Sequence, residues 1–176
     1  DMKYTKFVCL VVGSFILLSF KWSDKLEKKI HATVKKTFNI ETFVLKPVDV
    51  DKSIKGNKQV PIGEHLYEVL NEEKMVGYLY SDQAPSMKNV FDYAIVFSPD
   101  LEIVNTKVLI YREKHGRQIG MKRWLKQFFG LSISDRPELG IDIDGISGAT
   151  ISATSMTNAV KETLEILEAL REENKI

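Results

Sequence analysis

The feature that most constrains this fold is the amphipathic run at the C-terminal end of the chain. Apolar side chains recur there at three- and four-residue spacing and charged side chains take the opposite side, which predicts one helix from about Ala153 to Glu172. A helix with one apolar face must bury that face against another layer. The rest of the chain therefore has to supply a sheet or further helices to cover it.

Short alternating segments separated by tight turns supply the candidate sheet. Leu66–Leu70 and Met75–Tyr80 flank a polar turn, and Asp92–Ser98 and Glu102–Tyr111 flank a turn that contains Pro99. Short strands joined in this way are typical of an antiparallel sheet with one face covered by helices. The sequence therefore predicts the α+β class.

The N-terminal part has the features of a membrane anchor. Phe7–Phe20 carries no charge and is flanked by lysines, and although its fourteen residues are short for a bilayer span, the flanking residues extend it. We predict that residues 1–22 form an N-terminal transmembrane helix (or a signal sequence), residues 23–63 a helical stalk and linker, and residues 64–176 the main domain. Within the middle part, Asp24–Phe38 has helical periodicity and a lysine-rich side that suits solvent or anionic lipid. Lys46–Gly63 is predicted to be a loop.

The composition excludes several classes of function. The net charge of +1 gives no reason to expect a nucleic-acid partner. A lone Cys9 excludes an internal disulfide and a multi-cysteine metal site, and the three histidines lack the paired spacing of metal ligands. No acid/base pair is evident, so the sequence predicts neither a metal site nor a catalytic residue.

A glycine- and hydroxyl-rich stretch, Asp144–Thr150, lies immediately before the C-terminal helix. The first turn of a helix presents unpaired N–H groups and the positive end of its dipole, which together stabilise an anion. Small residues at Gly145, Gly148 and Ala149 leave room for a phosphate to approach the backbone. A Ser/Thr-rich turn before a helix is more often a capping arrangement. The residues alone leave both interpretations open.

The same heptad, Asp144–Thr150, resembles the flavinylation motif Asp-x-x-Ser/Thr-Gly-Ala-Thr of the FMN-binding domain family. That family includes the covalently flavinylated subunits of the sodium-pumping NADH:quinone reductase and of the Rnf complex. In these proteins the last threonine carries FMN through a phosphoester bond that a flavin transferase installs from FAD. The resemblance implies covalent FMN on Thr150. It also implies that Asp144 and Ser147 shape the turn and are read by the transferase, and that the small residues Gly148 and Ala149 give that enzyme access to Thr150.

A second block, about thirty residues earlier, is also similar to the family. A strand ends near Glu113, a loop contains Gly116 and Gly120, and a helix predicted over Met121–Phe129 contains the pair Gln127-Phe128. In the family this loop lies near the flavin, so the resemblance adds to the cofactor site Glu113, Gly116, Gly120 and Trp124. From the residues alone, Trp124 suits the core better than a flavin contact, because it lies on the apolar side of the predicted helix. The basic residues around it suit solvent, a membrane surface, a partner or the flavin ring.

The short spacing between the two blocks resembles that of short stand-alone members of the family. The resemblance implies an electron carrier anchored in the cytoplasmic (inner) membrane, with its domain on the extracytoplasmic side and a membrane redox complex as partner. The lysine count on the two sides of Phe7–Phe20 favours the opposite orientation. Two alternatives stay open: an FMN-dependent reductase that acts directly on a substrate, and a non-redox module that binds a phosphorylated ligand reversibly.

Overall fold

The structure, a computed structural model, describes residues 22–48 and 65–176. In chain order its elements are α1 (Asp24–Phe38), β1 (Val44–Pro47), β2 (Leu66–Asn71), β3 (Lys74–Pro85), β4 (Val90–Phe97), β5 (Ile103–Ile110), α2 (Lys122–Leu125) and α3 (Thr150–Glu172). Two 3₁₀ turns, Arg117–Gly120 and Lys126–Phe128, flank α2. Within the described ranges, no helix is long and apolar enough to cross a bilayer. The predicted anchor Phe7–Phe20 and most of the predicted loop Lys46–Gly63 lie outside those ranges.

The five strands form one antiparallel sheet in the order β1-β2-β3-β4-β5, so each strand pairs with its neighbour in sequence. Glu72 and Glu73 connect β2 to β3 and both have positive φ (47° and 64°), as in the two-residue turns whose twist suits a hairpin. Leu101, at φ 66°, helps to close the connection between β4 and β5. The predicted antiparallel sheet and the α+β class are confirmed.

Side chains alternate between the two faces of the sheet, and one helix covers each face. One core joins aromatic side chains of β4, such as Phe91 and Tyr93, to the apolar side of α3 around Met156. The other core joins the opposite face to α1 through Ile30 and Val34, neither of which is exposed. The domain thus has three layers, helix, sheet and helix, and burial of apolar surface on both faces stabilises it. The prediction of a sheet with one covered face is therefore wrong, because α1 packs on the second face.

Helix α1 has its predicted bounds, Asp24–Phe38, and begins where Ser23 accepts a hydrogen bond from the Leu26 N–H (3.4 Å). Lys29 Nζ donates to the Leu109 carbonyl of β5 (2.7 Å), which adds a polar contact to the buried apolar stripe. Since this helix packs on the sheet, it is a layer of the domain and does not project from it as a stalk. The division of the chain at residue 63 stays a prediction.

Several predicted boundaries are wrong. Strand β3 continues to Pro85, beyond the predicted end at Tyr80, and the predicted helix Met121–Phe129 is the shorter α2 followed by a 3₁₀ turn. Helix α3 begins at Thr150 and not near Ala153, so the hydroxyl-bearing residues that follow Thr150 lie inside the helix. Thr154 Oγ1 donates to the Thr150 carbonyl one turn earlier (2.8 Å), a bond that lets a short polar side chain sit in a helix. Strand β1 overlaps the predicted loop Lys46–Gly63. It is an edge strand exposed along most of its length, so it lacks the alternation that predicts strands.

Candidate functional site

The predicted anion-binding turn lies at the N-terminus of α3. Ala149 is the residue before the helix and is buried, whereas the next residue, Thr150, is exposed. The Ala149 N–H donates to the Ile146 carbonyl (3.1 Å), and Gly148 between them has φ 75°, a conformation that favours glycine. Ala149 offers no side-chain hydrogen bond to the first turn of the helix, so this terminus lacks a side-chain cap. The exposed Thr150 lies directly beside it.

Two side chains of the second block hold the peptide groups of Asp144, where the motif starts. Trp124 Nε1 donates to the Asp144 carbonyl (2.7 Å), and Gln127 Oε1 accepts from the Asp144 N–H (2.9 Å). Gln127 Nε2 in turn donates to the Trp124 carbonyl (3.2 Å). The Trp124 ring packs edge-on against buried Phe128, with ring centroids 5.4 Å apart. This arrangement, the Trp124–Gln127 clamp, fixes where the turn begins.

The glycine loop of the second block contacts the other end of the turn. Gly116 has φ 77°, and a Cβ at this position would lie 3.1 Å from the Ala149 Cβ and 2.7 Å from the Tyr111 hydroxyl. The Tyr111 hydroxyl is also 3.0 Å from Ser152 Oγ in the first turn of α3. The loop, the residue that follows β5 and the helix terminus therefore meet beside Thr150, and glycine is required for this close approach.

A cleft of about 540 Å³ opens between α2 and the turn. Its volume is within the range of small-molecule sites, about 300–1,000 Å³. The walls present an aromatic ring, a thioether, a guanidinium and two carboxamides, which suit a planar ligand with polar edges. The lining residues are Gln118, Met121, Arg123, Trp124, Gln127, Asp144, Gly145, Ile146 and Ser147.

Three of the nine predicted site residues line this cleft, and the others lie beside the turn or apart from it. Asp144, Ser147 and Trp124 line it, and Gly116 packs beside the turn. Gly120 lies apart, since a Cβ there would face Val108 of β5 at 4.0 Å. The structure thus separates the second block into residues that line the cleft and residues that support the loop.

Glu113 also lies apart from the cleft and organises a neighbouring turn. Its Oε1 accepts hydrogen bonds from the Ser86 hydroxyl (2.9 Å) and from the N–H groups of Lys88 (2.7 Å) and Asn89 (2.9 Å). These bonds, with that of the Lys88 N–H the largest, lower the pKa of the Glu113 carboxyl because they favour its ionised form. Glu113 therefore ties the connection between β3 and β4 to the glycine loop.

The structure adds cleft residues to which sequence reasoning assigned no role. Gln127 carried a signal, since it belongs to the Gln127-Phe128 pair of the resemblance. Gln118 and Met121 carried none, because exposed residues of these types occur on any protein surface. Arg123 is one of the basic residues near Trp124 for which the sequence left solvent, a membrane surface, a partner and the flavin ring open. Among the residues that the structure describes, no group of His, Cys, Asp and Glu side chains could hold a metal ion.

The fold and the site define a small α+β ligand-binding domain, with an open cleft beside the N-terminus of a long helix. Residues 88–165 match the family described as FMN-binding domain. This match agrees with the resemblance of the two sequence blocks to the same family. The matched segment contains β4, β5, α2 and most of α3, and so includes the whole cleft.

One curated relative is the G subunit of the ion-translocating oxidoreductase complex of Buchnera aphidicola subsp. Acyrthosiphon pisum (strain APS). It is 23% identical over 141 residues, which cover 73% of this chain and 84% of the relative. Among solved structures, the crystal structure of Shewanella oneidensis NqrC superposes with a TM-score of 0.59 at 13% identity, covering 82% of this chain and 94% of that one. At 13% identity, the similarity to NqrC is a similarity of fold.

Proposed function

We propose that this chain is a membrane-anchored, extracytoplasmic electron carrier with FMN attached to Thr150 through a phosphoester bond. It would pass electrons between membrane redox partners, in a complex comparable to the ion-translocating oxidoreductase named for its curated relative. Residues 1–22 would hold it in the membrane. The observation that carries the proposal is the position of Thr150: an exposed hydroxyl at the end of the motif, one short turn from a cleft built by both sequence blocks.

The residues at the helix terminus suit a phosphate. A Cβ added at Gly145 or Gly148 would meet no atom within 4 Å, so the space in front of the turn is open. The first turn of α3 contains no acidic residue. Its N–H groups and the positive end of the helix dipole stabilise negative charge. A phosphoester on Thr150 would lie within that first turn.

Attachment requires that a modifying enzyme reach the Thr150 hydroxyl. In the proposed reaction Thr150 Oγ1 forms a bond to the riboflavin-side phosphorus of FAD, the pyrophosphate bond breaks, AMP leaves, and the flavin transferase takes the hydroxyl proton. The Trp124–Gln127 clamp at one end and the contact of Gly116 with Ala149 at the other hold the motif in one conformation. The transferase thus meets a pre-formed turn and does not have to order it.

The cleft would hold the flavin ring, and bound FMN supplies the one- and two-electron chemistry. Met121 and Trp124 offer apolar contact to a planar ring. The Arg123 guanidinium, which lines the cleft together with the Asp144 carboxylate, would donate hydrogen bonds to the polar edge of the ring. Because the cleft is open at the surface, a protein partner can approach the ring edge, as a carrier requires.

The test is the intact mass of the full chain purified from its host's membranes. We expect an increase equal to FMN minus water, located on Thr150 by peptide mapping. Thr150→Val should abolish it. The matched control is Thr154→Val, because Thr154 is also exposed and lies one helical turn later; it should keep the adduct, as should Ser147→Ala. An unmodified wild-type chain, produced with a matching flavin transferase, would refute the proposal.

The same samples separate the two alternatives. A reductase is favoured by the polar side chains of Arg123 and Gln118 in the cleft, which could orient a substrate. Turnover of a soluble acceptor by the isolated protein with only a chemical reductant would establish it. Yellow cofactor that is lost on denaturation and gel filtration would instead show a reversible, phosphate-binding module.

A further inference from the structure

A second groove, of about 440 Å³, lies on the other side of α2, between α1 and β5. Four lysines line it: Lys29 and Lys36 from α1, Lys107 from β5 and Lys122 from α2. No carboxylate is among its lining residues. We call it the lysine groove. Four positive charges from three elements, without an acidic neighbour in the lining, make a site for negative charge.

The floor of the lysine groove is apolar. It is formed by Val104, Val108, Leu125 and Phe129, and the Val104 side chain is 37% exposed. At one end Asn105 Nδ2 donates to Thr37 Oγ1 of α1 (2.7 Å), which joins the two walls. An apolar floor with a cationic rim matches a ligand that carries an anionic head next to hydrocarbon. A free phosphate would use the rim alone.

The surroundings of the groove extend the same charge. Helix α1 also exposes Lys25, Lys28 and Lys35, and its two acids, Asp24 and Glu27, lie in its first turn, away from the groove. In the sequence three residues separate the charge-free run Phe7–Phe20 from this helix. Each lysine close to an anionic bilayer surface contributes about 1 kcal/mol of attraction to it.

We propose that the lysine groove binds the headgroup and upper acyl region of an anionic phospholipid, and so docks the domain on the bilayer surface. Helix α2 is the wall between the two sites: Lys122 faces the groove, while Met121 and Arg123 line the flavin cleft. Docking through the groove therefore places the cleft beside the membrane, close to membrane redox partners. The inference does not rest on the flavin, since none of its residues is part of the cleft or of the motif.

Amine-reactive footprinting of the full chain in nanodiscs tests this directly. One preparation contains phosphatidylcholine alone and the other contains about a third phosphatidylglycerol. We expect labelling of Lys36, Lys107 and Lys122 to fall at least about fivefold in the anionic nanodiscs, as a contribution of about 1 kcal/mol per lysine implies. The protection should vanish in 1 M NaCl, where charges are screened within about 3 Å.

The control lysines are in the same molecule. Lys74 is the first residue of β3, Lys161 lies in α3 and Lys175 follows it. None of the three lines the lysine groove, and their labelling should be equal in both lipids. The triple variant Lys36→Gln/Lys107→Gln/Lys122→Gln should lose the lipid-dependent protection of the remaining groove lysine, Lys29. The matched variant Lys74→Gln/Lys161→Gln/Lys175→Gln should keep it.

Three results would overturn the proposal. Equal labelling of the groove lysines in both lipids would mean that this surface does not bind anionic bilayers. Equal protection by soluble glycerol phosphate would identify a free-phosphate site, and protection found only in native membranes would identify an acidic protein partner. The intact mass of each sample separates this inference from the proposed function. FMN without lipid-dependent protection refutes only the docking, and protection without FMN refutes only the carrier.

Discussion

Replacing Gln127 by leucine should release the start of the Asp144–Thr150 motif. Gln127 accepts a hydrogen bond from the Asp144 N–H (2.9 Å) and donates one to the Trp124 carbonyl (3.2 Å), and leucine can make neither. A net contribution of about 1 kcal/mol for each bond gives a destabilisation of about 2 kcal/mol. In a domain of this size that corresponds to a drop in Tm of about 4–8 °C.

The assay combines thermal unfolding with hydrogen exchange at the Asp144 amide and FMN occupancy by intact mass. The control is Gln118→Leu, because Gln118 lines the same cleft but holds no peptide group of the motif in the described part of the chain. We expect Gln127→Leu alone to lower Tm, to speed exchange at Asp144 and to reduce the modified fraction. If the two variants behave alike in all three measurements, the clamp does not position the motif and the reasoning is wrong.

Three further predictions concern stability. In urea unfolding, Gly116→Ala should lower the free energy of unfolding by about 1–3 kcal/mol more than Gly130→Ala. Both glycines have positive φ, but only at Gly116 would an added Cβ contact other atoms. Hydrogen bonds lower the pKa of the Glu113 carboxyl in the folded state, so the ionised carboxylate stabilises the fold at pH values above its ordinary pKa of 4.5. That stabilisation is lost as the pH falls through the lowered pKa of the folded state. The difference in free energy of unfolding between the wild type and Glu113→Ala should close over that range. Arg112→Met should lower the free energy of urea unfolding by about 3 kcal/mol, because it removes the guanidinium that pairs with the buried Asp92 carboxylate (2.6 Å). Adding Asp92→Asn to the same chain should restore part of this loss.

Strands β4 and β5 could be predicted from the turn between them, which contains Pro99, and the helices from having one face buried and the other exposed. Helix α1 has this amphipathic pattern and its bounds agree to the residue. Edge strand β1 lacks a buried face, and so the prediction missed it. The predicted start of α3 near Ala153 was wrong because hydroxyl-bearing residues favour turns on average, while here the helix begins at Thr150 and Thr154 bonds within it.

The candidate site was only partly predictable, for a different reason. The two blocks were recognisable by their resemblance to the family, but the clamp depends on Trp124 and Asp144 meeting across a loop. No local pattern encodes that contact, because the same tryptophan on the apolar side of a helix is typical of any core. Arg123 lines the cleft and Lys122 lines the lysine groove because of the orientation of α2. Only the tertiary structure determines that orientation.

That orientation links the two proposals physically. Helix α2 has four residues and cannot be stable by itself, so packing must hold it. Trp124 and Leu125 are buried, and the Thr106 hydroxyl of β5 donates to the Leu125 carbonyl (3.0 Å). Because the same contacts fix Arg123 towards the cleft and Lys122 towards the groove, Thr106→Val should disturb both sites together. It should lower FMN occupancy and lipid-dependent protection of Lys122 in the same sample, whereas Lys122→Gln should affect only the second.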